Sequence, residues 1–436
     1  MQSADTRRTI AVGAIGNLLE WYDFAIYGYF AAAIGRAFFP HEDPVAQMLA
    51  AFGIFAVGFL MRPVGGALIG YIGDRLGRRA ALTFSVAAMA VPTFLVGALP
   101  SYEVLGAAAP ILLTILRMVQ GLSVGGEYTT SIVFMVERAP PGRRGVIGAL
   151  ACCGAVAGIL VGSATGAALA SVLPPETLEA WGWRIPFLLG LVVGLAGFII
   201  RRHIHEEPRA GTAPRAPLRE AVRNHGPLLA RLAGLSMFNS VGFYVMFVYI
   251  VSWLQHVDGV SPTRALEINT ISMVVMVPLM VCMGWLGDRI GRKPVLFGAA
   301  AFGFAGALPL FGLMHHADPT LALLGQLGFV VAVGAFLGTQ PAMMVEAVPK
   351  SVRCTAIALG YNVTLGVVGG LSPLAATWLV ERTHDDFSPA YMIMAAAAIS
   401  FVATSRFKET HAIALDGAAP DAAMAADLPG RAMRSV

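Results

Sequence analysis

GYIGDRLGRR, residues 70–79, returns 214 residues later as GWLGDRIGRK, residues 284–293, with Gly, Gly, Asp, Arg, Gly and Arg in register. A second pair accompanies it: Glu137, Pro140 and Arg144 are matched by Glu346, Pro349 and Arg353 at an offset of 209. Self-similarity at a fixed offset means that one architecture is laid down twice along the chain. Each copy of the first motif joins two long apolar runs, so the repeated unit is a set of apolar helices connected by short polar turns.

Composition places those helices in lipid. The 436 residues are 57% hydrophobic and 13% charged, with a mean hydropathy of +0.70, which leaves too little polar surface to coat a soluble globule. Runs of roughly 17 to 25 apolar residues cross a bilayer as helix. Twelve such runs are present, near 10–38, 47–72, 80–99, 106–135, 145–172, 184–201, 227–255, 264–286, 294–314, 320–344, 354–380 and 389–405. The repeat divides them into six and six. The expected fold is an all-α membrane protein of twelve transmembrane helices in two pseudo-symmetric six-helix bundles, the layout of transporters built from parallel repeats. The first bundle covers 1–202, the second 226–408. The polar stretch HIHEEPRAGTAPRAPLREAVRNH (203–225) links them, and the Ala-, Pro- and Asp-rich 409–436 forms a tail expected to be mobile.

Cytoplasmic turns collect Lys and Arg. Placing the amino terminus inside puts most of the 30 basic residues in cytoplasmic turns, whereas the outer turns are acidic or neutral, as in HEDP (41–44), PPETLEAW (174–181) and HHADP (315–319). The chain therefore reads as a multi-pass protein of the cytoplasmic (inner) membrane with both termini cytoplasmic. Its net charge of +4 follows from that topology and implies no nucleic-acid partner. The first apolar segment is long, carries acids and lacks a small-residue cleavage site, so it is expected to stay as the first span. The four cysteines offer no disulfide or metal framework. On the fifth span, Gly154, Gly158, Gly162 and Gly166 form a stripe suited to close helix packing.

The paired GxxGDRxGR loops and ExxPxxxR turns resemble the major facilitator superfamily. GNLLEWYDF (16–24), FLMRPVGGALIGYIGDRLGRR (59–79), RMVQGLSVGGEY (117–128) and WGWRIPF (181–187) resemble its metabolite:proton symporter branch, which includes transporters of alpha-ketoglutarate, citrate, shikimate and proline or betaine. The resemblance implies a central cavity between the bundles, opened alternately to either side, and a proton accompanying the substrate. No other cofactor is expected.

Charged residues deep in a bilayer are costly and mark function. Only the acids Glu20, Asp23 and Glu127 and the bases Arg62 and Arg117 lie well inside the spans, all in the first half. At about 1.5 Å per residue, Glu20, Arg62 and Glu127 sit roughly 14 to 17 Å from their inner helix ends. Asp23 is higher and Arg117 higher still. Depth allows Arg62 to meet Glu20 or Glu127 while Arg117 reaches Asp23, and in sugar porters that this chain resembles an Asp of the first span and an Arg of the fourth form a comparable pair. Three acids against two bases leave one acid without a full partner, so Asp23, Glu20 and Glu127 are the proton-coupling candidates. A guanidinium released on protonation can bind a carboxylate bidentately.

Arg62 and Arg117 are the primary substrate candidates, joined by Gln120 and by Trp21, Tyr22 and Tyr27, whose rings suit a cation. The second half offers neutral groups: Asn239, Tyr244, Tyr249, Gln340, Tyr361 and Asn362. At the inner turns, Asp74 and Asp288 can accept from helix amino termini. Arg75, Arg78, Arg289 and Arg292 can pair with Glu137 and Glu346, and Arg144 and Arg353 complete this gate set. The expected substrate is a small organic anion, a di- or tricarboxylate such as alpha-ketoglutarate or citrate. The alternative is a zwitterionic solute such as proline or betaine, and a transporter-like receptor is the reading of another class. No nucleophile with a base, phosphate loop or metal cluster appears in the spans, so no enzyme activity is expected. The partners are substrate, protons and bilayer, and the chain is expected to be a monomer.

Overall fold

The computed structural model describes residues 14–15, 17–18, 20–28, 30–39, 44–201, 222–316, 318–411 and 415, and among these there is no strand. Among the described residues, twelve helical stretches follow in order. In the first half these are α1, described at 14–15, 17–18 and 20–28 and followed by Ala31–Phe38; α2 as Pro44–Leu60 and Arg62–Arg75; α3 over Arg78–Ala98; α4 over Ala108–Glu137; α5 over Arg144–Val172; and α6 over Arg184–Arg201. In the second half they are α7 over Gly226–Tyr244, then Val245–Tyr249 and Ile250–His256; α8 over Pro262–Ile290; α9 over Arg292–Met314; α10 over Pro319–Ala347; α11 over Arg353–Val363, Thr364–Gly369 and Gly370–Thr383; and α12 over Ser388–Ser405. Eleven described helices are long and apolar enough to cross a membrane. Most of the linker 203–225 lies outside the described residues.

Local chemistry explains where the helices break. Pro63 removes a backbone donor and crowds the preceding turn, and α2 is interrupted at Met61, two residues before it. In α7 and α11, single π-helical turns interrupt the ladder at Val245–Tyr249 and Thr364–Gly369. Such turns are frequently associated with function. The last glycine of each motif copy, Gly77 or Gly291, takes a φ of +110° or +104° between consecutive helices. L side chains are strained there, so both copies keep glycine.

Small residues set the helix spacing, as expected where lipid supplies no hydrophobic drive for helix association. A Cβ on Gly154 would stand 2.6 Å from the Ala14 carbonyl oxygen, and one on Gly162 would stand 2.7 Å from the Ala25 Cβ, so α5 rests directly on α1. Between the halves, a Cβ on Gly70 would stand 2.9 Å from the Thr355 Cα, and one on Gly284 2.6 Å from the Gly145 oxygen. The first glycine of each motif copy therefore seats its helix against the other half, α2 on α11 and α8 on α5.

Candidate functional site

Of the five deep charges, Glu20, Asp23, Arg62 and Arg117 are buried inside the protein. Asp23 Oδ2 accepts from Arg117 Nη1 at 2.6 Å, and Asp23 Oδ1 accepts from Thr93 Oγ1 at 2.8 Å and Gln120 Nε2 at 2.9 Å. The Arg117 guanidinium stands 3.6 Å over the ring of Tyr27, whose hydroxyl donates to the Ala51 carbonyl. This network belongs wholly to the first half. Sequence reasoning missed Thr93, because a lone hydroxyl on an apolar helix carries no local sign of its partner.

Arg62 is arranged differently. Its Nη2 lies 3.8 Å from Glu20 Oε1, with both side chains buried, and among the described residues Nε, Nη1 and Nη2 donate no hydrogen bond. The guanidinium carbon lies 5.4 Å from the Phe59 ring centre and 6.0 Å from that of Trp21. Across from it, a Cβ on Gly366 of α11 would stand 3.3 Å from the Arg62 Cβ. Tyr244 of α7 is in electrostatic reach of both Arg62 and Glu20. Among the described residues, its buried hydroxyl and the Trp21 indole nitrogen have no hydrogen-bond partner. Glu127 is on α4, but its side chain lies outside the described residues.

Beside this pair a narrow cavity separates the halves, lined by Trp21, Tyr128, Cys152, Ala155, Val156, Asn239, Phe243, Leu337, Tyr361 and Leu365. Tyr128 and Tyr361 stack across the interface with ring centres 5.1 Å apart, and Trp21 meets Phe243 edge-on at 5.8 Å. Asn239 donates to the Tyr361 hydroxyl at 3.3 Å, and Tyr128 bonds Cys152 at 2.9 Å. Four of the lining residues are aromatic, and among the described residues none that lines it carries an ionised side chain.

Other candidate ligands are placed elsewhere. The Tyr22 hydroxyl donates to the Pro186 carbonyl at 3.1 Å, facing α6. Gln340 donates to Ser236 at 2.9 Å within the second half. Tyr249 is buried at the end of the π-helical turn of α7. Asn362 donates to the Gly125 carbonyl of α4 and, at 2.8 Å, to the Ala358 carbonyl of its own helix. It therefore clasps the two halves.

The halves also meet at the face carrying the basic loops. Asp288 accepts from the backbone N–H of Gly145 at 2.8 Å and of Val146 at 3.0 Å, capping α5 from the other half. Arg353 pairs with Glu137 at 2.8 Å across the halves. Arg292 forks onto Glu346 at 3.0 and 3.1 Å and also meets Asp288 at 2.8 Å, while Arg144 of the first half lies 3.7 Å from Glu346. Arg289 instead covers the Trp285 ring, and exposed Arg75 bonds Tyr71. The side chains of Asp74 and Arg78 lie outside the described residues.

The first residues of the tail lie against α9 and α10. Glu409 accepts from the N–H groups of Arg292 at 2.8 Å and Lys293 at 2.9 Å, capping α9. Thr410 donates to Glu346 at 2.7 Å. Burial acts to raise the Glu409 pKa, but the backbone N–H donors outweigh it and hold the carboxyl below its ordinary value. Residues 412–414 and 416–436 lie outside the described residues.

The Major Facilitator Superfamily profile matches residues 13–373 and 259–422. The chain belongs to the major facilitator superfamily. It is 36% identical over 432 residues to the glycine betaine/proline/ectoine/pipecolic acid transporter OusA of Dickeya dadantii, covering 95% of this chain and 86% of that protein. It is 35% identical, with the same coverage, to the proline/betaine transporter of Escherichia coli strain K12. Among solved structures, the proton:xylose symporter XylE bound to 6-bromo-6-deoxy-D-glucose superposes with a TM-score of 0.79 at 20% identity, over 94% of this chain and 97% of that one. The last match concerns the fold alone. The superfamily member described here is a multi-pass membrane transporter of two six-helix halves, closed at its basic-loop face.

Proposed function

We propose that this transporter is a proton-coupled symporter that brings a zwitterionic compatible solute, of the proline or betaine kind, into the cell. It would sit in the cytoplasmic membrane with the basic-loop face and both termini inside. The observation carrying this reading is charge balance at the site. Each deep arginine already touches its own acid, Arg117 with Asp23 at 2.6 Å and Arg62 with Glu20 at 3.8 Å. A di- or tricarboxylate entering a dry site would need surplus positive charge, because an uncompensated charge in low dielectric is expensive. A zwitterion brings no net charge of its own: its carboxylate can take Arg62 while its cation is met by acid or aromatic faces. Rings of Trp21, Tyr128, Phe243 and Tyr361 line the adjoining cavity, and aromatic faces attract quaternary and secondary ammonium groups at about 0.5 to 2 kcal/mol each.

The relatives' names favour the zwitterion over the organic anion that Arg62 and Arg117 suggest when counted without their partners. Proton coupling supplies the driving force, and a receptor would bind without accumulating ligand. Proteoliposomes with an inwardly directed proton gradient test the reading. Labelled betaine or proline should accumulate above equilibrium and collapse with a protonophore, while alpha-ketoglutarate and citrate should not. Accumulation of a dicarboxylate in their place would overturn the substrate assignment.

A further inference from the structure

We infer that Asn239 of α7 decides which zwitterions the transporter favours: its amide oxygen accepts an N–H from the substrate's ammonium group, so solutes with a secondary ammonium, as in proline, are preferred to fully methylated betaines. This preference rests on the zwitterion reading above and narrows it. The wall of the cavity between the halves holds few polar side-chain atoms, and most have partners. Tyr128 bonds Cys152 at 2.9 Å, Cys152 Sγ donates to the Leu337 carbonyl at 3.3 Å, and the Asn239 amide nitrogen donates to the Tyr361 hydroxyl at 3.3 Å. Among the described residues, one buried donor and one buried acceptor of this lining have no hydrogen-bond partner: Trp21 Nε1 on α1 and Asn239 Oδ1 on α7.

The two atoms belong to opposite halves. Trp21 lies beside Arg62, whose guanidinium carbon is 6.0 Å from its ring centre, so the first half offers donors and takes the carboxylate end of a ligand. Asn239 is 1% exposed, and a buried acceptor without a donor forfeits the hydrogen bonds that water gave it. A ligand that completes both atoms carries an acceptor toward α1 and an N–H toward α7, which is the polarity of a zwitterionic imino acid. The aromatic walls do not draw this distinction. Tyr128 stacks on Tyr361 at 5.1 Å and Trp21 meets Phe243 edge-on at 5.8 Å, and such faces attract secondary and quaternary ammonium groups alike. A quaternary nitrogen has no N–H to give, so its methyl groups cover Asn239 Oδ1 and keep it dry without pairing it. Sites that hydrogen-bond a substrate N–H reject an analogue lacking it, because their own polar group is left unpaired. Asn239 is thereby a specificity contact, separate from the charged residues of the first half.

The test uses L-proline and N,N-dimethylproline, which share ring and carboxylate and differ in that methyl groups replace the N–H hydrogens. Proton-driven initial uptake of each labelled solute is measured in proteoliposomes for the wild type and for Asn239→Leu. The wild type should show the higher kcat/KM for proline. Asn239→Leu should lower the proline-to-dimethylproline ratio of kcat/KM by about tenfold, through the KM for proline. A packing defect lowers uptake of both solutes together and does not move the ratio. A wild-type preference for dimethylproline, or a ratio unchanged in Asn239→Leu, overturns the inference. Should Asn239→Leu fail to fold, Asn239→Asp replaces it: the aspartate keeps an oxygen in place and should retain the wild-type preference, and loss of that preference overturns the inference. A wild type that transports neither solute refutes the zwitterion reading itself, whereas transport of both at a ratio that the variant does not move refutes only the role of Asn239.

Discussion

Replacing Asp288 with Ala should release the basic-loop face of the transporter. Its carboxylate is buried and accepts two backbone N–H groups from the start of α5 at 2.8 and 3.0 Å, across the interface between the halves. Hydrogen bonds to charged groups contribute about 1.5 kcal/mol each at the lower end, and the helix amino terminus adds its own attraction for an acid. A loss of about 3 kcal/mol corresponds to roughly a hundredfold shift in the ratio of closed to open forms, at about 1.4 kcal/mol per decade. Arg292 keeps its fork onto Glu346, so the second half is not left with a stranded cation. Cys354 reports the change, because it is 1% exposed and packed where α11 meets Gly73 of α2. With exposed Cys282 replaced by Ser, a membrane-impermeant maleimide applied to inside-out vesicles should label Cys354 about a hundredfold faster in Asp288→Ala. Labelling at the parent rate in a folded variant would refute the reasoning that Asp288 holds this face shut.

Three further outcomes follow from the same geometry. A Cβ at Gly73 would stand 3.4 Å from the Cys354 Cβ, close to the roughly 3.5–4.5 Å that a disulfide requires. Oxidised Gly73→Cys should therefore cross-link and lose uptake in proportion to the cross-linked fraction, with recovery on reduction, and Gly73→Cys with Cys354→Ser should ignore the oxidant. Trp21→Leu removes a ring from the cavity and should raise the KM for betaine by about tenfold, the equivalent of roughly 1.4 kcal/mol of cation–π attraction; an unchanged KM removes Trp21 from the cation's seat. Because the Glu409 pKa is held below its ordinary value by backbone donors, its contribution to the α9 cap is fully present above the ordinary carboxylate value. It is lost only as pH falls through the lowered one. Hydrogen exchange of the Arg292 and Lys293 amides, corrected for intrinsic rates, should keep its protection throughout the neutral range, and Glu409→Gln should lower that protection.

Much of the fold was legible because its signals are local or strictly periodic. The motif repeat, the apolar runs and the glycine stripe each depend on residue type at fixed spacing, and the helices fall on the expected runs. Depth was legible too, since a helix rises by a constant amount per residue, and Arg117 does reach Asp23 as depth allowed. Rotation was not. In helices apolar on every side, no polar face marks which direction is inward, so Tyr22 and Asn362 could not be told apart from cavity residues. Asn362 in fact fills the notch between Gly66 and Gly125, where a Cβ on Gly66 would come within 2.9 Å of its amide nitrogen. Thr93 on Asp23 and Thr410 on Glu346 are long-range pairings with no mark on either segment. Which acid each deep arginine meets was only partly legible, because depth left Arg62 free to meet Glu20 or Glu127, and the structure sets it against Glu20.

The most direct measurement of the central claim is the current evoked by substrate on a proteoliposome-coated membrane at equal pH. A neutral zwitterion carried with a proton moves net positive charge, so betaine or proline should drive an inward positive current that reverses when the substrate gradient is reversed and disappears in Arg62→Ala. A silent response to both solutes, together with a current evoked by citrate or alpha-ketoglutarate, would contradict the account.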